Sequence, residues 1–108
     1  MRHERFEWEK AKADANLKKH RISFADAAAV LADPFADRSH ITEFDASHSR
    51  REDRWKTVGS WPFDRSRILV IVWTTRLDET RLTSTRIISA RPATRRERKE
   101  YKNETSGS

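Results

Sequence analysis

The run Ile68-Leu-Val-Ile-Val-Trp73 constrains this chain more than any other segment. It is apolar at every position and rich in β-branched residues, so it has no polar face to turn to water. Such a run suits a central strand covered on both sides. Its neighbours alternate instead. From Asp53 to Trp61 (DRWKTVGSW) the period of two puts Arg54, Lys56 and Val58 on one face and Trp55, Thr57 and Trp61 on the other. A turn at Trp61–Ser66 joins this strand to the central one. A polar hairpin around Leu77–Thr80 leads to a last strand over Thr83–Ala90.

Helices flank these strands. Lys10–His20 is rich in helix formers, with Ala13, Leu17 and His20 spaced to share a face. Ser23 is placed to cap a second helix, with Asp26 three residues on, and Phe24, Ala27, Ala28 and Leu31 form its apolar stripe. Asp33-Pro34 ends it, because proline disfavours helical geometry in the residue before it. Phe35–Phe44 is loosely extended and Asp45–Arg51 is a polar loop. Thr94 and Glu97 stand in capping-box spacing at the head of a third helix over Thr94–Lys102. Consecutive strands with helices at either end predict an α+β fold, N-terminal helices and a C-terminal helix packed on a mainly antiparallel sheet. Trp8 and Trp73 are expected in the core, and Trp55 and Trp61 against the helices.

The chain of 108 residues is expected to form one domain over residues 1–102, with residues 103–108 a flexible tail. Its core is modest, so a partner would add stability. Without cysteine there are no disulfides or thiolate metal sites. The alternately charged N-terminus lacks the apolar stretch of a signal peptide, and no apolar run approaches the ~20 residues that span a bilayer. A cytoplasmic location without membrane attachment is the expectation. His3, His20, His40 and His48 show no metal-ligand spacing, and no cofactor is expected.

Charge is segregated. Arg81–Lys102 carries eight Arg and Lys against two Glu, a balance of +6, whereas residues 1–80 carry fifteen bases and fourteen acids, a balance of +1. An arginine-rich strip of this kind is suited to a polyanion or an acidic protein; a merely solvated basic helix is the bland alternative.

Three groups of residues together resemble the BrnT toxins of bacterial type II toxin–antitoxin systems. The first is Phe6-Glu-Trp8 with Lys12, Asn16, Lys19-His20, Ser23-Phe24, Ala27 and Asp33-Pro34. The second is Asp45, His48-Ser49, Glu52, Arg54 and Gly59, and the third is Arg86-Ile-Ile-Ser-Ala-Arg91 with Glu97-Arg98 and Tyr101. Arg21 departs from the family's usual Gly after Lys-His, and Trp73-Thr74 lies in a strand that varies. The resemblance implies a RelE-like compact fold and a ribonuclease that inhibits translation. It also implies neutralisation by a BrnA-type antitoxin whose ribbon-helix-helix portion binds DNA, so that the complex represses its own operon.

RNA carries its own nucleophile, the 2′-OH. A minimal ribonuclease therefore holds the phosphate, stabilises added negative charge and moves protons. Arginine suits the first two tasks, since its guanidinium stays charged and pairs with two phosphate oxygens at once. Arg54, Arg86 and Arg91 are the leading candidates, with ion pairing to Glu52, Asp53 or Glu97 as the structural alternative. Arg86 and Arg91 are five apart and would face opposite sides of a regular strand, so they serve one site only if the strand bends or ends before Arg91. His48, beside Glu52 in a polar loop, is the candidate for proton transfer, or an idle loop histidine. Lys56, Arg76, Arg95 and Arg98 complete the expected RNA contacts together with Tyr101, whose ring is better suited to packing beneath the sheet. The mechanism expected is metal-independent transesterification leaving a 2′,3′-cyclic phosphate. A non-catalytic basic module that binds nucleic acid or the antitoxin is the competing reading.

Overall fold

Two hairpins hold the apolar run at the centre of a sheet. A computed structural model describes residues 5–33, 40–46, 52–77, 80 and 82–106. In chain order its elements are β1 (Arg5–Glu7), α1 (Lys10–His20), α2 (Phe24–Leu31), β2 (His40–Phe44), β3 (Trp55–Trp61), β4 (Asp64–Leu77), β5 (Thr83–Pro92) and α3 (Arg95–Ser106). The sheet order is β1-β5-β4-β3-β2, antiparallel throughout except that β1 runs parallel to β5. The α+β expectation holds. No helix among the described residues is long and apolar enough to cross a membrane.

One face of the sheet carries the main core. Leu69 and Ile71 of β4 and Ile87 and Ala90 of β5 pack against Ile22 and against Phe24, Ala27 and Val30 of α2. Helix α2 forms as its sequence predicts, because the Ser23 hydroxyl accepts the Asp26 N–H at 3.0 Å and its apolar stripe meets the strands. The other face buries Ile68 and Val70 together with Tyr101 of α3.

Helix α1 has the expected limits, and Ala13 of its expected stripe packs against the core, but the docked face is turned from Leu17 towards Asn16. Leu17 is 47% exposed, whereas Asn16 is buried. The Asn16 amide donates to Ala90 O at 2.8 Å and Ile22 O at 3.0 Å, and its carbonyl accepts the Ala90 N–H at 3.1 Å. Strand β1 pairs with β5 only at Ser84–Arg86. Beyond its end, the Asn16 carboxamide satisfies the edge of β5 as a neighbouring strand's peptide group would.

Register corrects the reading of β5. Val70, Ile71 and Val72 pair with Arg91, Ala90 and Ser89, but Trp73 and Thr74 pair with Ile87 and Arg86. Ile88 is thus the extra residue of a β-bulge, and parity slips by one at that point. Residues directly opposite one another share a face, so Arg86 and Arg91 both lie on the side of Val70, Val72 and Thr74. The strand does not end before Arg91; it runs through Pro92.

Other differences are local. Strand β1 was not expected, since three residues, two of them charged, show no usable periodicity. Helix α3 continues to Ser106, so Asn103–Ser106 belong to the helix rather than to a tail. Trp55 keeps the face opposite Lys56 but stacks on Trp73 and meets Phe44 edge-on rather than packing on a helix, with centroids 6.1 and 5.2 Å apart. Trp8 is 39% exposed and lies edge-on to Phe24 instead of sitting in the core. Trp61 packs against the core with the Arg67 guanidinium 4.9 Å from its ring centroid. The second end of α2 is tied down by the buried Asp33 carboxylate, which pairs with Arg65; Arg65 also donates to Ser60.

Replacing Asn16 by Ala strips the partners from buried backbone groups and should cost about 2–4 kcal/mol in urea unfolding, since each orphaned group costs ~1–3 kcal/mol. Removing the α2 cap with Ser23→Ala should cost only about 1 kcal/mol.

Candidate functional site

The bulge in β5 has a direct consequence for the side chains around it. On the face bearing α3, a cleft of about 360 Å³ is lined by Asp45, Arg54, Lys56, Val72, Ile88, Ser89 and Arg91. Three of the residues picked out by the sequence, Arg54, Lys56 and Arg91, therefore come together. Lys56 reaches its place by alternation along β3 and pairs with Glu43 on β2 at 3.2 Å. Arg54 lies just before β3, where the Asp45 N–H donates to Arg54 O at 2.8 Å and the Thr74 hydroxyl donates to Asp53 O at 2.6 Å. These bonds extend the sheet beyond the formal strand ends. The Arg54 side chain touches Glu52 at 3.4 Å, while its Nε–H is shielded from solvent and finds no acceptor among the described residues.

Arg91 is the best-positioned cation. Its Nη1 and Nη2 donate to the two oxygens of Glu97 at 2.7 and 2.9 Å, and Nη1 also reaches Pro92 O at 3.3 Å. Glu97 is itself held, because its Oε1 accepts the Thr94 N–H at 2.8 Å while the Glu97 N–H donates to Thr94 Oγ1 at 3.2 Å. The capping box seen in the sequence thus also orients an arginine in the cleft. Glu97 takes the outer edge of the guanidinium. The side edge, formed by Nε–H and the second Nη2–H, makes no hydrogen bond among the described residues, and a pair of parallel N–H groups of that kind matches two phosphate oxygens.

The remaining candidates lie elsewhere. Arg86 shares the face of Arg91 but does not line the cleft; it pairs with Glu9 at 3.7 Å. Arg76 pairs with Glu7 at 3.9 Å farther along β4. Glu52 is exposed and reaches the site only through Arg54. Arg95 and Arg98 lie on the exposed side of α3. Tyr101 is 7% exposed, so burial of its ring removes it from the expected RNA contacts and leaves packing as its role. His48 lies outside the described residues. Sequence reasoning gave Asp45 no role in the site, although it stands in the same group of family-like residues as Glu52 and Arg54. Among the described residues, no group of three His, Asp or Glu side chains gathers in a way that would hold a metal ion.

The Arg91 contact, reinforced by the Thr94 N–H, draws the Glu97 carboxyl from its ordinary value of 4.5 down to about 2. A depressed carboxyl stabilises the fold fully above its ordinary value and loses that contribution as pH falls towards the folded one. Wild-type stability should therefore decline between pH 4.5 and about 2, and Glu97→Gln should flatten part of that decline in acid titrations followed by circular dichroism.

Over residues 8–97 the chain matches the family model described as ribonuclease toxin, BrnT, of type II toxin-antitoxin system. No curated protein matches it. The matched segment includes every residue of the cleft together with Glu97. The chain belongs to the BrnT family of ribonuclease toxins of type II toxin–antitoxin systems.

Proposed function

We propose that the Arg54–Lys56–Arg91 cleft holds the scissile phosphodiester of RNA and that the chain cleaves it without a metal ion. The observation that carries this reading is Arg91 lining a cleft with two further cations while Glu97 holds its guanidinium still. Pre-oriented guanidinium groups stabilise the charge that builds up on a pentacoordinate phosphorus, and they need no reorganisation as the reaction proceeds.

In the proposed reaction the 2′-oxygen attacks the adjacent phosphorus, the O2′–P bond forms and the P–O5′ bond breaks. The 2′-OH proton passes to a base, a proton is delivered to the departing 5′-oxygen, and the products are a 2′,3′-cyclic phosphate and a 5′-OH. Asp45 within the cleft and Glu52 beside Arg54 support a carboxylate as the base, with His48 as the imidazole alternative.

The toxin–antitoxin family implies an antitoxin partner and an RNA substrate. The finer reading is part of the same proposal: a RelE-like toxin that inhibits translation in the cytoplasm, covered by a BrnA-type ribbon-helix-helix antitoxin. Operator DNA is then contacted through the antitoxin. An antitoxin seated over the cationic cleft would block RNA by occupancy alone.

End-group analysis of a defined RNA incubated with purified protein in EDTA tests this reading. New 2′,3′-cyclic ends are expected, and Arg91→Ala should lower the rate about 10²–10³-fold, as loss of a charge-stabilising donor does elsewhere. RNA left intact, but still bound in a salt-sensitive way, would replace the nuclease with a binding module.

A further inference from the structure

Arg21 is the one described non-glycine residue with a positive φ, at φ 62° and ψ 25°. Glycine adopts this left-handed conformation without penalty, whereas a residue with a Cβ is strained there. Strain kept at one residue invites the question of what its side chain does. The Arg21 side chain lines a cavity of about 380 Å³ with His20, Arg67 and Arg98. Arg67 is steadied by the Trp61 ring beneath it. Arg98 and Ala93 also line a second cavity, of about 520 Å³, with Arg95, Lys99 and Lys102, so the two cavities adjoin at these residues and together make up a groove.

Three features mark the groove as a binding surface rather than a solvated helix face. Arg95, Arg98, Lys99 and Lys102 fall at i, i+3, i+4 and i+7, on one side of α3. No carboxylate lines either cavity among the described residues. The two acidic residues at the head of α3 are engaged elsewhere, Glu97 with Arg91 and Glu100 with Arg96. Arg21, Arg95, Arg98 and Lys99 make no ion pair among the described residues and all line the groove, Arg21 also bordering a neighbouring cavity with Asp14, Leu17 and Lys18. The groove also starts at Ala93, two residues along the chain from Arg91 of the cleft.

We propose that this groove is a second phosphodiester-binding site, in which Arg21, Arg67, Arg98 and the α3 stripe hold the single-stranded RNA that flanks the phosphate in the cleft. The inference rests on the reading of the cleft as an RNA site. A cationic groove that tracks a sugar–phosphate backbone is how single strands are held without sequence preference. Arg21 contributes a phosphate interaction that outweighs the backbone strain of its position.

Binding of uncleavable 2′-O-methyl RNA tests the proposal, using short and long oligonucleotides of about 3 and about 12 nucleotides, below and within the ~4–16-nucleotide sites of such grooves. Wild-type protein should gain affinity with length. Arg21→Gly, which suits the backbone, should melt at the same or a higher temperature and yet bind the long RNA several-fold more weakly. Its salt slope should be shallower by about 0.7 for each phosphate that the variant no longer neutralises. Arg98→Gln should behave alike without the thermal gain. If both variants bind long RNA as wild type does, the groove is no RNA site. The same holds if they lose affinity for polyglutamate alone, which would make the groove a seat for an acidic protein segment. Cleavage of ordinary RNA by wild-type protein separates the two readings: with cleavage intact only the groove falls, and with neither cleavage nor binding the cleft falls too.

Discussion

The buried carboxamide of Asn16 is the contact on which the arrangement depends. A three-residue β1 covers only part of the edge of β5, and the backbone groups of Ala90 would otherwise be buried without partners. Asn16 satisfies both and, through Ile22 O, also fixes the corner between α1 and α2. That corner sets how α2 lies on the sheet, and hence how Phe24, Ala27 and Val30 meet Leu69, Ile71 and Ile87. A leucine would bring more apolar surface but no hydrogen bonds, and buried backbone polarity is more costly to orphan than a few methyl groups are valuable. This is why a helix with an exposed Leu17 docks on the side that carries an amide.

The same strand positions the proposed site. One extra residue, Ile88, lets β5 place Ile87 and Ala90 in the core and Arg86 and Arg91 on the opposite face, where Arg91 lines a cleft with Arg54 and Lys56. Arg91 is then held by a carboxylate that has two duties, capping α3 and gripping a guanidinium. A bidentate pair of this kind restricts a long side chain that would otherwise sample many rotamers, so the ordering entropy is lost on folding rather than on meeting substrate. Such rigidity fits the phosphate-holding role proposed for Arg91 in a chain of a ribonuclease toxin family.

Charge is distributed with similar economy. On the β1 side, Arg76 and Arg86 are neutralised by Glu7 and Glu9. At the cleft Arg54, Lys56 and Arg91 are likewise each paired with a carboxylate, whereas along α3 Arg95, Arg98 and Lys99 line a surface that no described carboxylate shares. A potential concentrated on one part of the surface draws a polyanion there, and it equally makes that part the natural place for a neutralising partner to cover.

Much of the fold was legible in residue order. The central strand, the alternation of β3, the capping of α2 and α3 and the crowding of positive charge after Arg81 all depend on residues within a turn or two of each other, and local periodicity records such relations. Arg54, Lys56 and Arg91 were legible as candidates for the same reason, arginine and lysine being suited to phosphate wherever they stand. Only the tertiary structure decided which of them share a cleft. Pairing register is set between segments far apart in sequence, so neither the bulge at Ile88 nor the parity it gives Arg86 and Arg91 leaves a local trace. Asn16 reads as an ordinary polar helix residue until β5 lies beside it, and the choice between packing and RNA contact for Tyr101 is decided only when α3 packs on the sheet. The sequence by itself determined the elements and the sign of the charge, and the meeting of distant strands determined where that charge is aimed.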